Sequence, residues 1–370
     1  MTRTALATAC SLALVVATAT TAVKADDLAA SLKPGKPDLK SAGPLAFGPD
    51  GILFIGDTQG AAVFAVATGD KEAAKERPAL SIKNLTQKVA ARLGTDPQKV
   101  MVNDVAINPT SGKAYFAVSR GRGPDAVPVI LRAGADGKLE EVSLDNVKFA
   151  KAEVPNAPAP GKMDRGQDQR SQSITDLAYL DGKLFLAGLS NEEFSSRLIS
   201  IPFPFSGPAD GSAIEIYHGA HGRFETKSPV RTFVTYKIAD KPYLLAAYTC
   251  TPLVKVPVAD LKPGAHVKGT TIAELGNRNR PLDMITYSKE GKDFLLLANS
   301  DRGVMKIPTE GAGTAEAITS HVKETKGIKY ETVEKLKGVL QLDKLDDSHA
   351  VVLVRDDAGA EPRDRHAAVT

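Results

Sequence analysis

The chain has 370 residues, of which 42% are hydrophobic, 25% charged and 5% aromatic, with no tryptophan. This is the composition of an ordinary globular protein and excludes disordered, collagenous and multi-span membrane classes. Lys and Arg number 47 against 44 Asp and Glu, a formal charge of +3; so small a surplus predicts no nucleic-acid partner.

In chain order, the first expectation is an export signal. Arg3 supplies a positive start, Thr8 to Val23 is a run of apolar and small residues, and Val23-Lys24-Ala25 offers small residues for cleavage ahead of Asp26-Asp27. A signal peptide over residues 1–25 follows, with a periplasmic or secreted product and no transmembrane anchor. Cleavage after Ala25 removes Arg3, Cys10 and Lys24, lowers the charge from +3 to +1 and leaves Cys250 as the sole cysteine. No intrachain disulfide then holds the fold together.

From there the sequence repeats itself. Gly43-Pro44-Leu45-Ala46-Phe47, the turn Gly48 to Gly51 and Ile52 to Asp57 make one unit: apolar strand, Gly or Asp turn, stronger apolar strand. The pattern recurs at Asp104–Ser119, Asp176–Ser190, Arg231–Tyr248, Asp283–Ser300 and Gly338–Arg355, with units spaced 52 to 72 residues apart. Third strands are expected at Ala61–Ala67, Val127–Arg132, Arg197–Pro202, Pro252–Val258 and Gly303–Pro308, and weaker fourth strands at Ala213–Tyr217 and Thr270–Leu275. Four strands per repeat predict an all-β, six-bladed β-propeller occupying 26–355 as one domain. Leu85–Leu93 has helical spacing and Thr332–Leu336 is a second helix candidate. Residues 356–370 form a polar tail, expected to be disordered, so Asp27 to Lys40 is the candidate outer strand for closing the last blade.

In a propeller, the loops that enter the inner strands share one face with the loops joining second to third strands. That face collects Asn103, Asp104, Asp176, Arg231 and Asp283, and with them Asp57, Arg120, Asn191, Cys250, Asn299, Asp301 and Arg302. Asp104, Asp176 and Asp283, with Asn103 or Asn299 as a neutral ligand, have the oxygen chemistry a hard divalent cation prefers, so Ca²⁺ or Mg²⁺ ranks ahead of copper or zinc. The competing reading of these strand-start carboxylates is that they accept backbone N–H groups or pair with Arg231 and Arg280. The stretch His218-Gly219-Ala220-His221-Gly222 offers two imidazoles for a transition metal or a general base, and Asn277-Arg278-Asn279-Arg280 adds guanidinium donors. Cys250 is a soft-metal ligand candidate, with a buried inert thiol as its default. The motifs of covalent haem, α/β-hydrolases, P-loops and zincins are absent.

The units at Gly43 to Phe54 and Asn103 to Pro109 resemble blades of the senescence marker protein, gluconolactonase and strictosidine synthase group, with NHL propellers as cousins. The resemblance extends over about residues 41–355. It implies a divalent cation held in the channel by acidic and amide residues at inner-strand starts, and lactone or ester hydrolysis; here Ala42-Gly43-Pro44 stands where the first blade's acidic residue is expected. Two functions follow. In a hydrolase the cation polarises a carbonyl, Arg231 or Arg280 orients an anionic group, and Asp104, Asp176 or His221 is the base, with His218, Asn299 and Arg302 completing the ligand rim. The alternative is a non-catalytic monomeric propeller that binds a small molecule, a metal or an exported protein through the same mouth.

Overall fold

The computed structural model describes residues 25–355, except 78, 207, 208, 210 and 251, together with 365–369. Residues 1–24, most of the expected signal peptide with Cys10, and 356–364 of the tail lie outside the described residues. Among the described residues no helix is long and apolar enough to cross a membrane.

The protein is an all-β propeller. Blade 1 runs outward through Leu45–Phe47, Ile52–Asp57, Ala62–Ala67, Val147–Glu153 and Lys33–Gly35. Blade 2 comprises Val100–Ile107, Ala114–Arg120, Val127–Ala133 and Leu139–Glu141. Blade 3 comprises Asp176–Leu180, Lys183–Leu189, Ser196–Pro202, Gly211–His218 and Arg223–Glu225, with His266–Lys268 alongside. Blade 4 comprises Val230–Ile238, Lys241–Tyr248, Pro252–Pro257, Thr270–Leu275 and Thr325–Gly327. Blade 5 comprises Pro281–Lys289, Lys292–Asn299, Gly303–Pro308 and Glu331–Thr332.

The expectation of six full blades is corrected to five. The sixth repeat builds a three-stranded sheet, Val339–Lys344, Ala350–Arg355 and Arg365–Val369, with the described residues beyond Arg355 supplying its third strand. The segment expected to complete that sheet goes elsewhere: Lys33–Gly35 pairs with Val147–Glu153 on the outside of blade 1. Of the tail, the described residues Arg365–Val369 form a strand against Val351–Arg355. Leu85–Leu93 is a helix as its spacing predicts, whereas Thr332–Leu336 is not, since Glu331–Thr332 pairs with Met305–Lys306 at the edge of blade 5.

The blades do not follow one another in chain order. After Ala67 the chain leaves blade 1 unfinished, crosses by the helix Leu85–Leu93, builds blade 2, and returns to lay Val147–Glu153 against Ala62–Ala67. Six apolar clusters report the resulting ring. Phe54 and Ile52 of blade 1 pack on Leu184 and Leu186 of blade 3; Leu198 and Ile216 of blade 3 meet Leu244 and Val254 of blade 4. Leu245 of blade 4 meets Leu295 and Leu297 of blade 5, and Ile285 meets Leu342 and Val352 of the last sheet. That sheet closes onto blade 2 through Leu353 and Phe116, and Tyr115 and Ile130 of blade 2 return to Leu53 and Phe64 of blade 1. Successive residues such as Leu53 and Phe54 therefore point to different neighbours, as strand alternation requires. Each fully buried Leu or Phe contributes about 1.5–3 kcal/mol relative to exposure.

One close contact shapes the channel end of blade 3. A Cβ on Gly188 would lie 2.0 Å from the carbonyl oxygen of Ser173, directly after the turn Arg170–Gln172 that feeds the mouth. Gly188→Ala is expected to lower stability by about 1–3 kcal/mol, read as a fall in Tm by scanning calorimetry; an unchanged Tm contradicts this packing.

Candidate functional site

Channel mouth and a Cys-His cluster

The inner strands enclose a channel whose entry cavity has a volume of about 1000 Å³ and whose opposite end has about 520 Å³. Asp104, Asp176 and Asp283 line both, so they stand at the neck. Asn103, Arg231 and Arg280 line the entry cavity with them, as the strand-start reading predicts. Gly338, the sixth expected opening residue, does not. The rim includes the hairpin Met163–Asp164/Gln167–Asp168, an insertion after blade 1 that sets Met163 and Asp168 beside the opening.

At the neck, sequence alone left two readings of the aspartates open, and the hydrogen bonds favour the amide-accepting one. Each carboxylate accepts the next residue's N–H with one oxygen and an N–H of the adjacent inner strand with the other. Asp104 takes Val105 N at 2.8 Å and Leu45 N at 2.7 Å. Asp176 takes Leu177 N and Phe233 N, both at 2.7 Å; Asp283 takes Met284 N at 2.7 Å and Leu342 N at 2.8 Å. The three belong to blades 2, 3 and 5, alternate positions of the ring, and each is stapled to a neighbour that has no aspartate at the matching position: Pro44, Thr232 or Gln341. Asp343, which a search of strand starts misses, repeats the device one rung deeper, joining the last sheet to blade 2 through Ile107 N at 2.6 Å. Its signal in the sequence was the alternation Leu340, Leu342 around it.

This geometry lends the expected cation site no support. Asp104, Asp176 and Asp283 are not among the groups of described residues whose ligand atoms lie within 4.8 Å of one another, and their oxygens are held by amides. Asn103 is likewise engaged: its Nδ2 donates to Ala42 O at 2.7 Å and Ser119 Oγ at 2.9 Å. Burial in the channel, opposed by these amides and reinforced by the other carboxylates, raises the pKa of Asp104 and Asp283 well above the usual range. Burial likewise raises Asp176 to about 7 and Asp343 to about 6.

The arginines differ. Arg231 donates from Nη1 to Gln172 Oε1 at 3.0 Å, and the surrounding walls lower the pKa of Arg280 by desolvation. No carboxylate pairs with either guanidinium among the described residues, so the ion-pair reading of Arg231 and Arg280 falls away.

Of the residues expected at the mouth, Asp57, Arg120, Asn191, His218, His221, Cys250, Asn299, Asp301 and Arg302 lie outside the cavity lining. Asn299 is buried in a turn, its Oδ1 accepting Asp301 N at 3.1 Å and Arg302 N at 3.2 Å while Nδ2 donates to Asn279 Oδ1. Arg302 donates to Asn277 O at 3.0 Å. His218 and His221 sit at the outer side of blade 3, so neither serves the neck as base or ligand. Asp57 is structural too, accepting Lys40 N, Ser41 N and Gly60 N, each at 2.8 Å.

The histidines meet Cys250 instead. His218 ends the strand Gly211–His218, a single turn Gly219–His221 follows, and Gly222 reverses the chain at φ +66°, where a Cβ is disfavoured. The hairpin returns Glu225 opposite Ile216. His218 and His221 are then on one side, with ring centroids 3.9 Å apart. Cys250 comes from the turn after Lys241–Tyr248 of the adjacent blade, at φ +62° with its N–H donated to Asn279 O at 2.9 Å. One nitrogen of each histidine and the sulfur all lie within 4.8 Å of one another, the one such group among the described residues. The expectation of a thiol turned into the core is therefore corrected. Glu225, which the sequence reading passed over, joins His218 Nδ1 at 2.8 Å and His221 Nδ1 at 2.6 Å. Burial opposes the charge on His218, but Cys250 and Glu225 outweigh it and raise the pKa to about 9; His218 in turn lowers that of the Cys250 thiol.

No protein-family model matches the chain, and no curated protein matches it. Among solved structures, the PQQ-bound aldose sugar dehydrogenase of Streptomyces coelicolor has 13% identity and a TM-score of 0.35, covering 91% of this chain and 96% of that one. An engineered GH43 glycoside hydrolase has 9% identity and a TM-score of 0.34 over 73% of this chain and 52% of that one. A bifunctional GH43-CE protein of Bacteroides eggerthii has 13% and 0.31, over 73% and 30%. Likeness of this degree carries no argument about ligand or reaction; the protein's class, a β-propeller with a polar channel mouth, stands on its own strands.

Proposed function

We propose that this is an exported propeller that binds a small anionic molecule, bearing a carboxylate or phosphate, in the channel mouth. The observation that carries the reading is the pair Arg231 and Arg280, lining a cavity of about 1000 Å³ with no carboxylate partner among the described residues. Guanidinium groups are planar donors suited to such anions, and desolvating walls strengthen the pairing. Lys40 and Arg122 border the same cavity and add to the attraction.

The test is a thermal-shift panel of small carboxylates, sugar acids and phosphate monoesters against the protein, Arg231→Gln and Arg280→Gln. At least one class should raise Tm by mass action, and each variant should weaken it about tenfold or more, the scale of a lost charge-assisted hydrogen bond. A panel without effect, or shifts that survive both substitutions, contradicts the reading.

Hydrolysis of a lactone or ester is a second reading, favoured by one observation. Asp176 stands at the neck with a pKa of about 7, suited to general acid-base work. It predicts turnover in a lactone and ester screen that Asp176→Asn abolishes.

A further inference from the structure

We propose that Cys250, His218 and His221 form a binding site for one zinc or copper ion at the outer rim between blades 3 and 4, separate from the channel mouth. Four observations converge. One ring nitrogen of each histidine and the Cys250 sulfur already lie within 4.8 Å of one another, while tetrahedral zinc, with bonds of about 2.0–2.3 Å, holds its ligand atoms about 3.3–3.8 Å apart. Small side-chain rotations close the difference.

The second observation is Glu225. Its two oxygens hold the Nδ1 atoms of both histidines, which fixes the tautomer and leaves the two Nε2 atoms to coordinate. A carboxylate behind a ligating imidazole is the usual support of a metal-bound histidine; here one carboxylate serves two, and Ser228 Oγ at 3.0 Å steadies it.

Third, His218 is 1% exposed and its Nε2 is a buried atom without a hydrogen-bond partner of normal geometry. Buried polar atoms are seldom left so. A metal ion would satisfy it. Fourth, Cys250 adopts a left-handed backbone conformation, uncommon for a residue with a side chain; strain of this kind persists where surrounding structure fixes it and gathers at functional positions.

The donor set selects the ion. One thiol and two imidazoles suit zinc and copper, whereas Ca²⁺ and Mg²⁺ require oxygen ligands. Coordination needs a thiolate and neutral imidazoles, so it releases to solvent the Cys250 thiol proton and any proton held on the Nε2 of His218, while each Nδ1–H stays with Glu225. The His221 side chain is 44% exposed, so the ion has an entry path and a coordination position open to water or an exogenous ligand.

The experiment uses the whole exported chain, stripped with chelator under reducing, oxygen-free conditions. Zn²⁺ and Cu⁺ are titrated separately by calorimetry, and Co²⁺ is added as a spectroscopic probe. One ion per chain is expected, with a thiolate-to-cobalt absorption band. Glu225→Gln should weaken binding about 10–100-fold. Cys250→Ser should lose the band, and His221→Ala, an exposed position whose replacement leaves the fold in place, should lose tight binding. Preference in the two titrations names the ion. Absence of stoichiometric binding, or binding equally tight in Cys250→Ser and His221→Ala with unchanged circular dichroism, overturns the proposal.

Discussion

Asp70→Ala should lower the free energy of unfolding by about 1–3 kcal/mol, the cost of taking away the acceptor of several buried donors. Asp70 lies just after the last residue of the third strand of blade 1, and its side chain is 3% exposed. It accepts from Ser111 Oγ at 2.6 Å, Lys113 Nζ at 3.0 Å, Tyr115 OH at 3.1 Å and Asn108 Nδ2 at 3.1 Å. All four belong to the first hairpin of blade 2. The network thus fastens the blade that the chain builds out of order, and alanine takes one acceptor each from Tyr115 and Asn108, both fully buried. Burial opposes the charge, yet these donors hold the pKa of Asp70 below its usual value. The stabilisation is therefore present above the ordinary carboxylate pKa and is lost as pH falls through the lowered one. Urea unfolding at pH 7 measures the effect; a loss under 1 kcal/mol contradicts the role.

The second large effect is a pH dependence of the opposite sign. Asp176 titrates at about 7 and Asp343 at about 6 in the folded chain, against 3.8 for an ordinary aspartate. Between those limits the folded state binds more protons than the unfolded, so the contribution of these groups is complete below about pH 4 and is lost as pH rises towards 7. Asp176→Asn should flatten that decline. Tm profiles from pH 4 to 8 for the protein and the variant isolate this group from others that titrate in the same range. Parallel profiles contradict the assignment.

The strand grammar was legible because period-two alternation and Gly or Asp turns are local: Gly303–Pro308 falls where the sequence places it, and the helix Leu85–Leu93 is legible by its own spacing. Ring order was not legible. The pairing of Val147–Glu153 with Ala62–Ala67 spans a whole intervening blade, and nothing in either segment names its partner. Of the residues expected on the entry face, Asn103, Asp104, Asp176, Arg231 and Asp283 line the mouth with Arg280, whereas Asp57, Arg120, Asn191, Cys250, Asn299, Asp301 and Arg302 do not. The roles of the aspartates at the mouth were not legible, because an aspartate that accepts two amides and one that binds a cation have the same neighbours in sequence. Cys250 and the histidines meet across two blades, and Glu225, four residues beyond His221, was the signal available for their support.

The claim that the neck carboxylates hold the ring together, while the mouth above them takes an anion, is tested most directly by titrating chelator-treated protein with Ca²⁺ and Mg²⁺ in a calorimeter. With both oxygens of Asp104, Asp176 and Asp283 accepting backbone amides, the account predicts no stoichiometric heat and no rise in Tm at millimolar cation. One Ca²⁺ or Mg²⁺ bound per chain, abolished by Asp283→Asn, would contradict it.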